Sequence, residues 1–195
     1  GFVKRLDFFM LNQVCKKMGE WKKKNIELVP VSVNFSKQHL MHQEVAERIC
    51  NIIDFWKIPH NFIEIEFTET SIAEEKELLS NTIAVLKDKG ISVSVDDFGS
   101  GYSSLNLLQD FNFDVLKLDK SLIKTIVENN RARIVIANVI NMANALNMSI
   151  IAEGVETKEE LMTLKNLNCN VIQGFIFDKP LSVEEFEQRL INKQY

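Results

Sequence analysis

Residues 91–99 read Ile-Ser-Val-Ser-Val-Asp-Asp-Phe-Gly, and this stretch decides the fold. Its first five residues alternate between apolar side chains and serine, which predicts a β-strand with one apolar and one polar face. A strand covered by helices on both faces of an open parallel sheet would instead read as a nearly continuous apolar run. The polar face and the two aspartates at its end therefore indicate a strand whose second face looks into a barrel.

Segments on both sides of this strand repeat the pattern. Strands are predicted at 27–34, 62–68, 91–95, 114–118, 149–152 and 170–173. Helices are predicted at 3–24, 38–56, 74–89, 131–147, 157–167 and 183–192. Strands and helices that alternate at this spacing are typical of parallel strands with crossover helices, in either a barrel or a doubly wound sheet. Pro30 cannot donate to a strand ladder, so the first strand is expected near a sheet edge.

One polar residue stands near the C-terminal end of each predicted strand, on the face that turns polar. These residues are Asn34, Glu66, Asp96, Lys117, Glu153 and Gln173. Any one of them alone would be read as a solvent-facing residue at a strand end. In a parallel barrel, however, the C-terminal strand ends together form the active site. Six polar residues in phase therefore predict a barrel with one shared site.

The predicted site is rich in carboxylates. Glu66, Asp96, Asp97 and Glu153 accompany a single cation of the set, Lys117. Converging carboxylates cannot all remain ionised unless cations compensate them. Oxygen ligands without histidine or cysteine favour Mg²⁺ or Mn²⁺ over Zn²⁺. The adjacent Asp96 and Asp97 suit a position between two ions about 3.5–4 Å apart, the usual arrangement for phosphoester hydrolysis.

A glycine-containing loop follows the acidic pair. Residues 98–104 read Phe-Gly-Ser-Gly-Tyr-Ser-Ser, and Gly99 allows positive backbone angles or close approach to a ligand. No Gly-Lys-Ser/Thr follows, which excludes a Walker-type phosphate loop. The alternative is a plain turn, but its place beside the aspartates favours a functional loop.

Composition excludes several other classes of protein. The chain has 195 residues, of which 23 are basic and 27 are acidic. Hydrophobic residues make up 46% of the chain, as in an ordinary globular domain. The net charge of −4 argues against a general binder of DNA, RNA or membrane surfaces. No run of about 18 apolar residues is present. Three widely spaced cysteines suit a reducing compartment, so a cytoplasmic location is expected.

Motifs along nearly the whole chain resemble those of the EAL domain, a bacterial family that hydrolyses cyclic di-GMP. The matching motifs are Asn34-Phe35-Ser36, Glu66-Phe67-Thr68-Glu69, Asp96-Asp97-Phe98-Gly99-Ser100-Gly101-Tyr102-Ser103-Ser104-Leu105, Lys117-Leu118-Asp119, Ala152-Glu153-Gly154-Val155-Glu156 and Gln173-Gly174-Phe175 through Lys179-Pro180. The resemblance implies an α/β fold, a TIM-like (β/α) barrel of the EAL type. It also implies hydrolysis of cyclic di-GMP to linear pGpG with two divalent cations, Mg²⁺ or Mn²⁺.

The resemblance assigns a role to each matching residue of the predicted site. Asn34, Glu66 and Asp96 resemble the ligands of one divalent ion. Asp96 and Asp97 resemble ligands of the second ion. Lys117 resembles the family lysine that holds the attacking water.

The same motifs supply the remaining candidates. Glu153 resembles the acidic residue proposed as general base or as a water-mediated metal ligand. Glu69 resembles the glutamate that anchors the loop at 98–104, which the family links to dimerisation and metal binding, so a homodimer is expected. The other substrate and loop candidates are Gly99, Ser100, Asp119, Glu156 and Gln173.

The chain departs from the family at one point, because no Glu-Ala-Leu occurs in it. The glutamate of that signature is a metal ligand in the family. Six strand candidates are present where a TIM barrel has eight. We therefore expect residues 1–195 to be a single EAL-like domain, N-terminally incomplete and missing its first strands, with a sensor or GGDEF-type domain upstream as a further expectation.

Two other functions remain open on the sequence. The first is a catalytically inactive or truncated EAL-like domain that acts as a cyclic di-GMP receptor or interaction module. The second is a different metal-dependent barrel enzyme, which would make the motif matches a coincidence. Product analysis with Mg²⁺ or Mn²⁺ separates the enzyme from the receptor.

Overall fold

The computed structural model describes residues 2–36, 44–68, 76–100 and 104–193. Helices within these residues are α1 (Phe2–Lys23), α2 (Val45–Phe55), α3 (Lys76–Asp88), α4 (Ser104–Asp110), α5 (Lys120–Ile123), α6 (Asn130–Ala145), α7 (Lys158–Asn166) and α8 (Val183–Asn192). The strands are β1 (Val31–Asn34), β2 (Ile63–Thr68), β3 (Ser92–Phe98), β4 (Val115–Leu118), β5 (Ser149–Ala152) and β6 (Val171–Ile172). A single turn of 3-10 helix, His60–Phe62, leads into β2.

The strands form one sheet in chain order, β1-β2-β3-β4-β5-β6. The pairings of β1 with β2, β3 with β4, β4 with β5 and β5 with β6 are parallel. At least one helix lies between each pair of consecutive strands in the chain. This confirms the parallel α/β organisation predicted from strand–helix alternation. None of the helices in the described residues is long and apolar enough to cross a bilayer.

The chain divides into two compact units, each built from separated segments. The first unit comprises Gly1–Glu66, Glu75–Ser92 and Pro180–Tyr195, and the second comprises Phe67–Glu74 and Val93–Lys179. In the first unit, α1 buries one stripe at helical spacing, formed by Leu11, Cys15 and Met18. Burial of this apolar stripe is what holds α1 in place.

The second unit contains most of β3 and all of β4, β5 and β6. Its strands bury the apolar residues that the alternating pattern predicts, including Val93, Val95, Leu116 and Leu118. Lys117 is buried as well, although its strand neighbours on both sides are leucines. On this polar face Lys117 of β4 is enclosed, whereas Gln173, directly after β6, is exposed.

Several element boundaries differ from the sequence prediction. β1 begins at Val31 rather than residue 27, since Pro30 has no N–H to donate to a ladder. The two short helices α4 and α5 have no counterpart in the predicted elements, because a helix of one or two turns shows no periodicity. Residues 38–43 of one predicted helix and 74–75 of another lie outside the described residues.

Candidate metal centre

The end of β3 contains a β-bulge at the acidic pair. Val95 pairs with Leu116, but the next pairing joins Phe98 to Leu118, so three steps along β3 match two along β4. Asp97 has a φ of 55°, in the left-handed region that aspartate tolerates better than most residues. In a regular strand, neighbouring side chains point to opposite faces. The bulge lets both carboxylates serve one site.

Three carboxylates from β3 and the end of β5 come together in the second unit. Asp96, Asp97 and Glu153 each offer one oxygen, and these oxygens all lie within 4.8 Å of one another. The backbone N–H of Asp97 donates to Asp96 Oδ1 at 2.9 Å, which orients the first carboxylate. Glu153 follows β5 directly, and its N–H donates to Leu118 O at 3.1 Å. The backbone therefore orients the Asp96 carboxylate directly and ties the main chain of Glu153 to β4.

A buried lysine completes this cluster. Lys117 is 4% exposed, and its Nζ lies 2.7 Å from Glu153 Oε1 and 3.9 Å from Asp96 Oδ1. A buried ammonium group needs paired charges, and these two carboxylates supply them. Three carboxylates and one ammonium leave two formal negative charges, which a divalent cation would balance. Carboxylate oxygens are also the ligands that Mg²⁺, Mn²⁺ and Ca²⁺ prefer.

Two further predicted ligands lie on neighbouring strands of the first unit. Asn34 at the end of β1 is the register partner of Glu66 in β2. Glu66 is 3% exposed, whereas Asn34 is exposed. Their strands are also tied together past this point, since Phe35 N–H donates to Glu66 O at 2.9 Å. The structure thus places the predicted amide and carboxylate ligands side by side.

The loop candidates are described only in part. Gly99 has a φ of 95°, so glycine is required for this backbone conformation. Ser100 is exposed, and its N–H donates to Asp97 O at 3.1 Å, closing the turn after the bulge. Glu69 lies outside the described residues, as do residues 101–103.

The other three candidates are engaged at the ends of secondary structure. The Asp119 carboxylate caps α5 by accepting from Ser121 N–H at 2.9 Å. Burial raises the pKa of Asp119, but hydrogen bonds from Ser121 and Lys120 outweigh that effect and leave its pKa below the ordinary value. Glu156 is exposed, and its N–H donates to Glu160 Oε2 at 2.8 Å. Gln173 is exposed, and its N–H donates to Ala152 O at 2.8 Å.

The predicted site does not include Ser94, a buried polar residue of β3. Ser94 is fully buried, and its Oγ has no hydrogen-bond partner among the described residues. It lies two residues before Asp96, on the same face of β3. The alternation of serine with valine in residues 91–95 is the sequence signal that could have identified it.

A family model, EAL domain, matches residues 1–180. The chain belongs to the EAL domain family. Among curated relatives, this EAL domain is 31% identical over 185 residues to the oxygen sensor protein DosP of Escherichia coli, covering 95% of this chain and 23% of that protein. It is 32% identical over 188 residues to the cyclic di-GMP phosphodiesterase PdeR of the same organism, covering 96% of this chain and 28% of that protein.

Solved structures of EAL proteins share the fold. The EAL domain of Mycobacterium smegmatis DcpA superposes with a TM-score of 0.92 at 28% identity, covering 99% of this chain and 87% of that one. Klebsiella pneumoniae BlrP1, in a manganese and cyclic di-GMP complex, gives a TM-score of 0.82 at 25% identity, covering 91% of this chain and 45% of that one. These matches confirm the predicted TIM-like fold of the EAL type.

The EAL domain described here spans about a quarter of the length of the curated relatives it matches. The predicted family membership is confirmed by the family model and by these relatives. The carboxylate cluster coincides with three of the four acidic residues that the sequence analysis predicted to converge, Asp96, Asp97 and Glu153.

Proposed function

We propose that this EAL domain hydrolyses cyclic di-GMP to linear pGpG with two divalent cations, Mg²⁺ or Mn²⁺. The observation that carries the proposal is the cluster of Asp96, Asp97 and Glu153 around the buried Lys117. Two comparisons support it. PdeR is named a cyclic di-GMP phosphodiesterase, and the BlrP1 complex holds both manganese and cyclic di-GMP.

The carboxylates of Asp96 and Asp97 are proposed to hold the ions, together with Asn34 and Glu66. Both aspartates fit this role because the bulge at the end of β3 lets adjacent side chains serve one site. Divalent ions bound there would polarise the phosphate and lower the pKa of a water molecule. The backbone N–H of Asp97 also orients the Asp96 carboxylate by donating to its Oδ1.

Lys117 is proposed to hold the attacking water, and Glu153 is proposed to accept its proton. The Lys117 ammonium lies between Glu153 and Asp96, so a water held by this ammonium sits next to both carboxylates. Glu153 is then within reach of the proton that the water releases on attack at phosphorus. The ion pair with Lys117 also fixes the position of the Glu153 carboxylate.

The wider setting of the domain is also part of the proposal. Glu69 and the loop at 98–104 are proposed to link the site to a homodimer interface. The proposed substrate-contacting and loop residues are Gly99, Ser100, Asp119, Glu156 and Gln173. The domain is proposed to act in the cytoplasm, downstream of a sensor or GGDEF-type domain.

Replacement of Asp96 by asparagine tests the proposal. The change removes one charge and almost no volume, so the fold should persist. We expect hydrolysis of cyclic di-GMP to fall at least about 100-fold, because even residues that only orient metal ligands cost about 10- to 100-fold when removed. Asp88→Asn, at an exposed position near the end of α3, is the matched control and should leave turnover unchanged.

The products decide between enzyme and receptor. Formation of pGpG by the unsubstituted protein with Mg²⁺ or Mn²⁺, abolished by Asp96→Asn, supports the phosphodiesterase. Binding of cyclic di-GMP without any pGpG supports the receptor alternative and contradicts the proposal. Full turnover by Asp96→Asn contradicts the role assigned to the cluster.

A further inference from the structure

The short helix α5 (Lys120–Ile123) follows β4 directly and is hydrogen-bonded at its start to both neighbouring strand ends. Asp119 N–H donates to Phe98 O at 3.2 Å, on the side of the Asp96-Asp97 pair. Glu153 N–H donates to Leu118 O at 3.1 Å, on the opposite side. The residues that lead into α5 therefore lie between the two segments that carry the carboxylates.

Leu122 of α5 occupies the space beside Gly99, two residues after Asp97. A Cβ added to Gly99 would overlap Leu122 Cδ1 and lie 3.0 Å from Leu122 Cγ. The backbone of the segment after the acidic pair thus rests against the Leu122 side chain. Gly99 also has a positive φ, so this approach is specific to glycine.

Lys120 of α5 occupies the equivalent space on the other side. Gly154 directly follows Glu153 and has a φ of 65°. A Cβ added to Gly154 would overlap Lys120 Cβ. The backbone after Glu153 therefore rests against α5 just as the backbone after Asp97 does.

We propose that α5 is a spacer that sets the separation between the Asp96-Asp97 pair and Glu153, with Leu122 and Lys120 as its positioning residues. Metal–oxygen distances tolerate shifts of only about 0.2 Å, so a small movement of either segment degrades a shared site. Lys117 can contact both Glu153 and Asp96 only if the two segments that carry them keep this separation. This inference deepens the proposed function and rests on its metal site.

Mn²⁺ affinity is measured by electron paramagnetic resonance titration of the metal-free protein. Gly154→Ala adds the Cβ that overlaps Lys120 Cβ and should weaken Mn²⁺ binding about 10-fold or more. Adding Lys120→Gly removes the opposing Cβ and should restore most of the lost affinity, while alanine at position 154 still bears the cost of a φ of 65°. Adding Lys120→Ala removes the charge but keeps the Cβ, so it should not restore affinity.

Three results would overturn the spacer. The first is wild-type Mn²⁺ affinity in folded Gly154→Ala. The second is equal restoration by Lys120→Ala and Lys120→Gly, which would assign the effect to the charge of Lys120. The third is restoration by neither variant, which would assign the effect to the positive φ of residue 154. If Gly154→Ala fails to fold, Leu122→Ala decides: it removes the contact with Gly99 and should also weaken Mn²⁺ binding, and unchanged affinity refutes the inference.

A second measurement separates the spacer from the proposed function. Amide hydrogen exchange at Asp119 and Glu153 reports the two hydrogen bonds that flank α5, without any metal. Gly154→Ala should accelerate exchange at Glu153, and Lys120→Gly in the same chain should reverse this. Loss of this pattern refutes the spacer even in an active enzyme. The pattern in a protein without pGpG formation upholds the spacer and refutes the proposed function.

Discussion

Asp97 shows how much of this site depends on the conformation of one residue. Its φ of 55° creates the bulge that lets two consecutive aspartates serve one site. Left-handed backbone costs a residue with a Cβ about 1–2 kcal/mol, and asparagine or aspartate offset part of this by local hydrogen bonding. Position 97 therefore requires both a carboxylate for the proposed site and a residue that tolerates a left-handed backbone conformation.

Substitutions at Asp97 separate these two demands. Asp97→Gly and Asp97→Ala both remove the carboxylate and its repulsion by Asp96 and Glu153. Only alanine incurs the left-handed backbone cost, so we expect Asp97→Gly to be more stable by about 1 kcal/mol. Urea unfolding of the metal-free proteins measures the difference. Equal stabilities, or a more stable alanine variant, would show that the bulge relaxes without cost.

Lys117 should act on turnover and not on metal binding. Lys117→Met keeps the length of the side chain and removes the ammonium that lies between Glu153 and Asp96. We expect kcat to fall about 100-fold or more, since misplacing a reacting group by about 1 Å can cost that much. Mn²⁺ should bind at least as tightly, because the cluster loses its positive charge.

The control for this prediction is Lys165→Met, at an exposed position on α7. It should change neither kcat nor Mn²⁺ affinity. Weaker Mn²⁺ binding by Lys117→Met, with kcat recovered at saturating metal, would show that Lys117 organises the ligands and does not hold water.

Residue-scale features differ in how visible they are in the sequence. Strand parity alone places Asp96, Lys117 and Glu153 on one face, and the structure brings them together. The bulge at Asp97 has no such signal, because an Asp-Asp pair reads the same in a regular strand. Gly154 also escapes the pattern, since its requirement for glycine arises from its φ of 65° and from the close approach of Lys120, far away in the chain.

At the scale of elements, α8 is fastened to α1 by one carboxylate. Glu187 of α8 accepts from Trp21 Nε1 at 2.9 Å and pairs with Lys17 at 2.8 Å and with Lys24 at 2.5 Å. The Phe186 ring lies beside Trp21, with 5.8 Å between ring centroids. Hydrogen bonds from Lys17, Lys24 and Trp21 lower the pKa of Glu187 from 4.5 to about 2.

Because of this pKa shift, the packing of α8 against α1 should weaken as the pH falls. A carboxylate whose pKa is lower in the folded state stabilises the fold above its unfolded pKa and loses that effect as pH falls. The contribution of Glu187 is thus complete above about pH 4.5 and disappears towards pH 2. Glu187→Gln should be less stable at neutral pH, and its difference from wild type should shrink over this window.

Urea unfolding at a series of pH values measures that difference. Glu184→Gln, at an exposed position in the first turn of the same helix, is the control and should follow the wild-type profile. A constant gap between Glu187→Gln and wild type from pH 7 to pH 2 would mean that packing, and not charge, fastens α8.

Helices could be predicted from the sequence where they are long enough to show a periodic pattern of apolar residues. The burial stripe of α1 spans two turns from Leu11 to Met18, and the sequence shows it. Helix α5 has four residues, too few for a stripe, and its cap at Asp119 is the one local sign of a helix start. The short helix was therefore invisible to periodicity, although it lies against the proposed site.

At the scale of the whole molecule, the two compact units share strands. β2 (Ile63–Thr68) begins in the first unit and ends in the second, and β3 (Ser92–Phe98) begins with one residue in the first unit. The chain passes from one unit to the other at four places. A unit that is not one continuous stretch of chain is poorly suited to folding alone. We therefore propose that residues 1–195 form a single cooperative domain.

Cooperativity can be tested because both tryptophans, Trp21 and Trp56, lie in the first unit. Their fluorescence should follow the same urea transition as far-UV circular dichroism, which reports helices of both units. Leu164→Ala opens a cavity in the core of the second unit and should cost about 2–5 kcal/mol. In one cooperative domain, that loss also lowers the midpoint of the tryptophan transition. A tryptophan transition that stays in place while the dichroism transition moves would show two independently unfolding units.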